Sequence, residues 1–225
     1  MARPTRLLFS LIIATTGTTS LWAGSAGAAP VDCNGLKNSQ VPFEIKLRAH
    51  GNSYVVQEFR DPSGSAVVWT RLLGSSDSIT RAIEYNGFSS ESESAHTVNT
   101  PNGILVLSRF KVRLRYGGLD PRAFDYSTDA SFKLYSHVEV ANGPSPSDSE
   151  SQVAYKVLRR EQLAVGGCSF SSVVFEGTRL TGGKESQAFY RYLPELRLRI
   201  TDSDPDELGI DEIATVFESM KLPAQ

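Results

Sequence analysis

Cysteine is scarce: Cys33 and Cys168 are the only two in 225 residues. That number excludes a cysteine-built zinc cluster and a disulfide-dense mini-scaffold, and without a C-x-x-C spacing a redox thiol has no motif to work in. Histidine is almost as rare, with His50, His96 and His137 alone. No G-x-S-x-G elbow and no H-E-x-x-H segment occurs. His50 falls in an expected turn, His96 in a polar stretch, and His137 on the wet side of a strand with Lys133 and Glu139. A hydrolase needs its base held against a nucleophile and oriented by an acid. A cell-wall hydrolase is therefore the least favoured class, and no catalytic residue is assigned. Neither charge sign dominates, with 23 Lys and Arg against 25 Asp and Glu, so no nucleic-acid partner is expected. Asp202-x-Asp204-x-Asp206 starts like a calcium loop but places Pro205 inside it, Glu207 where glycine belongs and Ile213 where a bidentate glutamate belongs. No metal and no cofactor is expected, and the acids read as a helix N-terminus. Past Ala14 no apolar run approaches the roughly 20 residues that cross a bilayer, so no transmembrane segment is expected in the mature chain.

What is present begins with a leader pattern. Arg3 and Arg6 precede the apolar run Leu7, Leu8, Phe9, Leu11, Ile12 and Ile13, and small residues close at Ala26-Gly27-Ala28. A basic start, a short apolar middle and an A-x-A site predict a signal peptide over residues 1–28. The expectation is one β-rich domain over 29–225, secreted to the periplasm and soluble. In that oxidising compartment Cys33 and Cys168 are expected to form one disulfide. Its long loop makes the chain-entropy gain on the order of 4–5 kcal/mol.

The rest reads as short strands between regular turns. Phe43, Ile45 and Leu47 alternate with Glu44, Lys46 and Arg48; Asp61-Pro62-Ser63-Gly64, Gly74 to Asp77 and Asn86-Gly87 are turn signals. Ile79, Arg81, Ile83 and Tyr85 continue the pattern. Ser89 to Ser94 reads as a solvated edge or loop. Ile104 to Tyr116 is the longest clean strand. Asp120 to Phe124 reads as one helical turn, and Asn142 to Ser151 as a surface loop. Gly166-Gly167 and Gly182-Gly183 are expected hairpin turns. After Pro194, Leu196, Leu198 and Ile200 face a core, while Glu195, Arg197, Arg199 and Thr201 face water. Ile210, Ile213, Phe217 and Met220 recur at helical spacing before Pro223. The fold class expected is mainly β: a curved antiparallel meander, half-barrel or open barrel, with one C-terminal α-helix.

Two sets of residues are candidates for binding. Arg109, Lys111, Arg113 and Arg115 share one face of one strand and, with Arg197 and Arg199, would form a cationic face for anionic headgroups, polysaccharide or an acidic partner. The alternative is an ordinary wet face paired with glutamates across strands. Trp69 and Tyr190, with Tyr54 and Tyr85, would line an apolar cavity, although aromatic residues in strands more often pack simply as core.

Gly166-Gly167-Cys168-Ser169-Phe170 and the arm Phe189-Tyr190-Arg191-Tyr192-Leu193-Pro194-Glu195-Leu196-Arg197-Leu198 carry a resemblance. The last third of the chain is similar in style to bacterial periplasmic half-barrel proteins of the broad group that includes cell-envelope-integrity proteins and lipoprotein carriers. The resemblance implies a concave sheet that binds an apolar or amphipathic envelope component, and it transfers no catalytic residue. The function expected is non-enzymatic: holding a lipid, lipoprotein or protein partner in the concavity. The alternative is an assembly factor that holds an acidic partner on the basic face.

Overall fold

The computed structural model describes residues 31–38, 42–49, 52–61, 64–73, 76–100, 103–202, 204–206, 209–215 and 219–222. The expected leader, His50, Phe217 and Pro223 lie outside them. A short helix α1 (Cys33–Lys37) is followed by strands β1 (Phe43–Ala49), β2 (Asn52–Arg60), β3 (Ala66–Leu73), β4 (Ser76–Tyr85), β5 (Phe88–Thr100), β6 (Gly103–Gly117), β7 (Ala130–Val140), β8 (Ser147–Val165), β9 (Cys168–Thr181) and β10 (Lys184–Leu193). A 3-10 turn at Pro194–Leu196, β11 (Leu198–Asp202) and β12 (Gly209–Thr215) complete it. All twelve strands form one antiparallel sheet in the order β11 to β1 and then β12. The chain runs as a meander until β12 returns to pair with β1. β11 and β12 are the two edges and do not pair, so the sheet is not closed.

Register shows how the sheet is shaped. Ile45, Val56, Thr70, Thr80, Ser94, Phe110 and Val140 oppose one another strand by strand from β1 to β7 and so share one face. The same face continues through Phe132 and Val153, then through Val157, Phe175, Tyr190 and Thr201. We call it the inner face. Cys168, Phe170, Leu198 and Ile200 point to the opposite face, yet they share one buried core with Phe43, Ile45, Val56 and Val68 of the inner face. A single sheet meets this condition only by rolling, with β9–β11 tucked inside β12 and β1–β3. Burial agrees: Ser172, Val173, Val174 and Phe175 are buried in succession, as are Arg191, Tyr192 and Leu193. A run without alternation means both faces are covered. The inner face of these last strands packs a second core around Phe88, Tyr126, Tyr155 and Phe175.

The expected disulfide is present, joining Cys33 to Cys168. It pins α1, whose Asp32 side chain accepts from the Gly35 amide at 2.9 Å, against the start of β9. Both double-glycine turns form, with φ of 58° and 79° at Gly166-Gly167 and 57° and 81° at Gly182-Gly183. Asp120 closes a single turn, its carbonyl accepting from Ala123 and Phe124.

Three expectations fail for definable reasons. Among the described residues there is no C-terminal helix: Ile210 and Ile213 lie in β12. A bulge opposite Lys46 and Leu47 pairs Leu47 with Ile210 and Ile45 with Ile213. The extra residue puts positions three apart on one face of a strand, which mimics helical spacing. Of the acids expected at that helix's start, Asp202 ends β11, Asp204 and Asp206 lie in the β11–β12 connection, where Asp206 pairs with Arg159, and Glu207 lies outside the described residues. Ser89 to Ser94 is strand, not loop, because serines 92 and 94 face inward while Glu91 and Glu93 face outward. Ser94 is buried and exchanges a hydrogen bond with the Thr80 hydroxyl at 2.8 Å. Asn142 to Ser151 is only half turn, since β8 begins at Ser147 and pairs Ser149 with Ser136.

Side chains of the two neighbouring strands, β8 and β10, close over Gly177 of β9. A Cβ there would fall 2.5 Å from a ring carbon of Tyr190 and 3.0 Å from one of Tyr155. Gly177→Ala is therefore expected to destabilise the protein by about 1–3 kcal/mol through overpacking. A chemical-denaturation midpoint equal to that of the wild type would refute this.

Glu58 gives the fold a pH dependence of known sign. Its carboxyl is 1% exposed. Arg60 donates to one oxygen, while the other has no hydrogen-bond partner. Burial raises its pKa to about 7 against the opposing pull of Arg60. The unfolded chain ionises near 4.5. Below that value both states are protonated; above it only the unfolded chain gains by ionising. Stability should thus fall as pH rises from about 4.5 to about 7, by up to about 3 kcal/mol. Urea titrations at both ends should show a smaller fall for Glu58→Gln, and equal falls would contradict the assignment.

Candidate functional site

The seam between the two laps leaves a cavity of about 260 Å³. Leu47, Val56 and Val68 line it from the outer lap, and Leu198 and Ile200 from β11. All five are buried, at 2–5% exposure. Tyr54, Thr70 and Thr201 add hydroxyls, and Glu84 and Arg199 bring the only formal charges in the lining. An apolar concavity with a few convergent polar groups is the common form of a small-molecule site.

Arg199 is not on a wet face. It opposes Tyr192 across β10 and β11 and so belongs to the inner face. Its guanidinium carbon lies 5.0 Å from the ring centre of Phe88 and 5.2 Å from that of Tyr190. One Nη1 donates to the Tyr155 hydroxyl at 2.8 Å. Tyr190 in turn stacks on Phe175 at 5.1 Å. The backbone permits this because Gly87 lets the β4–β5 turn close on β11: a Cβ at Gly87 would sit 2.6 Å from Arg199 Cβ. Among the described residues, Tyr155 is the one hydrogen-bond partner of this side chain, and no carboxylate forms an ion pair with it. Glu84 accepts from the Ser89 hydroxyl at 2.8 Å. Burial raises its pKa, against the field of Arg199 and the Ser89 bond.

Of the candidates read from the sequence, Arg199 and Tyr190 are brought together. The others are dispersed. Arg197 is exposed in a left-handed conformation, φ 47°, just after the 3-10 turn. Trp69 opposes Gln57 and Arg81 and lies on the outer face, 8% exposed, with the Arg81 guanidinium 6.0 Å from its ring. The basic stripe is half of a charge ladder. Arg109 faces Glu93 at 3.6 Å, Lys111 pairs with Glu91 at 2.9 Å, and Arg113 with Glu139 at 2.8 Å. Only Arg115 lacks a carboxylate partner among the described residues, so the stripe carries little net field. A larger polar groove of about 810 Å³ crosses this outer face past Arg113, Arg115 and His137. His137 is held by Asp148 at 2.8 Å and Glu139 at 3.2 Å. The Asp148 bond, followed by Glu139, raises its pKa. Both ring nitrogens are taken by carboxylates, leaving none to activate a hydroxyl. His96 stands in β5 against the Phe110 ring at 4.9 Å, and not in a loop. The groove's charges form ion pairs; among the described residues, Arg199 and Glu84 share the cavity lining without forming one.

Sequence reading missed Glu84, Phe88 and Tyr155. In β4 Ile79, Arg81, Ile83 and Tyr85 share one face, and pairing puts Ala82 and Glu84 on the inner one. No protein-family model, no curated protein and no solved structure matches the chain. Among the described residues no helix is long and apolar enough to cross a membrane.

Proposed function

We propose that this is a non-enzymatic protein of the periplasm, exported by residues 1–28, that binds an apolar or amphipathic component of the cell envelope within its rolled sheet. The observation that carries the reading is the apolar seam cavity with an arginine at its wall. Two further features support it. The inner face of β6 and β7 keeps Phe110, Val112, Leu114, Val138 and Val140 only half-buried, which leaves apolar surface on the concave side. The Cys33–Cys168 disulfide suits an oxidising compartment. The assembly-factor reading loses support, because glutamates already neutralise most of the basic stripe.

Protein purified from the periplasm should carry lipid that organic extraction and mass spectrometry detect. A Leu47→Trp variant, with the cavity filled, should carry less. Protein found in the cytoplasm, or free of lipid and unable to bind envelope lipid vesicles, would reject the proposal.

A further inference from the structure

We infer that the seam cavity selects a single-chain amphiphile with one carboxylate head, which Arg199 binds. The inference rests on the ligand-binding reading above and adds the chemistry of the ligand.

A guanidinium has five N–H donors and no acceptor. Here one donor is used, on Tyr155 Oη. The rings of Phe88 and Tyr190 compensate part of the lost hydration through cation–π attraction. They supply no hydrogen-bond acceptor in the plane of the fork. Glu84 acts on this partly buried cation only through space and forms no ion pair with it, whereas an entering carboxylate matches its fork in two parallel bonds. Half of the lining is hydrocarbon, from Leu47, Val56, Val68, Leu198 and Ile200. Such a wall accepts an alkyl chain and rejects a small hydrophilic acid, whose polar atoms would go unpaired.

Glu84 narrows the head group further. It shares the cavity with Arg199, so an entering anion meets a second carboxyl. A monoacid can share a proton with it; a phosphate dianion brings two charges against it. Thr70 and Thr201 add hydroxyls at the same lining. At about 260 Å³ the space falls just below the ordinary range for drug-sized ligands, which favours a short or partly inserted chain.

The test is calorimetric titration of the full mature protein at neutral pH with octanoate, octan-1-ol and octyl phosphate. Octanoate should bind best, with octan-1-ol and octyl phosphate at least about tenfold weaker. Arg199→Met should weaken octanoate by roughly tenfold to a hundredfold, the value of charged hydrogen bonds, and weaken octan-1-ol by a clearly smaller factor. Arg199→Lys keeps the cation but not the fork, and should fall between. It also supplies the answer should the methionine variant fail to fold. Leu47→Trp should abolish binding of all three. Equal binding of the alcohol or the phosphate, or an Arg199→Lys protein identical to wild type, overturns the head-group inference while the wider reading stands. If none of the three binds, and no lipid co-purifies, both fall together.

Discussion

Replacing Cys33 or Cys168 by alanine is expected to lower the melting temperature by about 4–20 °C. The disulfide closes a loop with a sequence separation of 135. The chain-entropy relation gives about 5 kcal/mol for a loop of that size, and losses of native disulfides usually fall at about 2–5 kcal/mol. For a chain of this length each kcal/mol moves the midpoint by about 2–4 °C. The large effect also has a local cause. α1 has five residues, far too few to be stable alone. What holds it is the bond to β9 and the burial of Leu36, 0% exposed, in the first core. Without the bond, the segment that caps the core can fray, exposing Phe170 and Val165 beside it. Thermal unfolding followed by circular dichroism, with and without reductant, reads the effect. A shift below about 2 °C would show that the crosslink holds little.

Phe88→Ala is expected to cost about 3–5 kcal/mol, the range for emptying a large aromatic site in a core. Phe88 is fully buried and meets Tyr116, Phe124, Tyr126, Phe132 and Tyr155 at ring-centre distances of 5.2 to 6.2 Å. These partners come from β6, the β6–β7 connection, β7 and β8, so one side chain joins four parts of the roll. It also supports Arg199 at 5.0 Å. The cavity left by alanine cannot collapse easily, since Tyr126 is itself fixed by its hydroxyl to the Asn86 carbonyl at 2.9 Å. Denaturant titration should therefore show a lower midpoint, and octanoate affinity should fall with it. A loss below about 1 kcal/mol would mean that the second core is not packed around this ring.

How legible was this in the sequence? The strands and hairpins were, because glycine pairs and short alternating runs carry strong local signals. The disulfide was, because two cysteines leave one pairing. The roll was not marked by alternation, yet it had a signature: Val173-Val174-Phe175 has no polar partner face and so calls for cover on both sides. Alternation was misleading in three particular places. In β5 the small inward residues are serines, and Ser94 is satisfied across the strands by the Thr80 hydroxyl of β4. In β12 one bulge converted strand spacing to helix spacing. In β11 the charge of Arg199 argued for water, whereas the tertiary fold surrounds it with aromatic faces. The candidate site shared this fate. Its lining combines β1–β4 with β11, and nothing local links segments more than a hundred residues apart. Arg199 and Tyr190 were singled out, but with partners that the fold sends elsewhere.

The rolled sheet is the premise for both the cavity and its arginine, and methyl–methyl nuclear Overhauser effects test it most directly. Leu198 and Ile200 of β11 should show cross-peaks to Ile45, Val56 and Val68 of β1–β3, strands with which β11 never pairs. Their absence, with β11 methyls seeing only β10 neighbours and solvent, would mean the sheet is unrolled and the seam cavity does not exist.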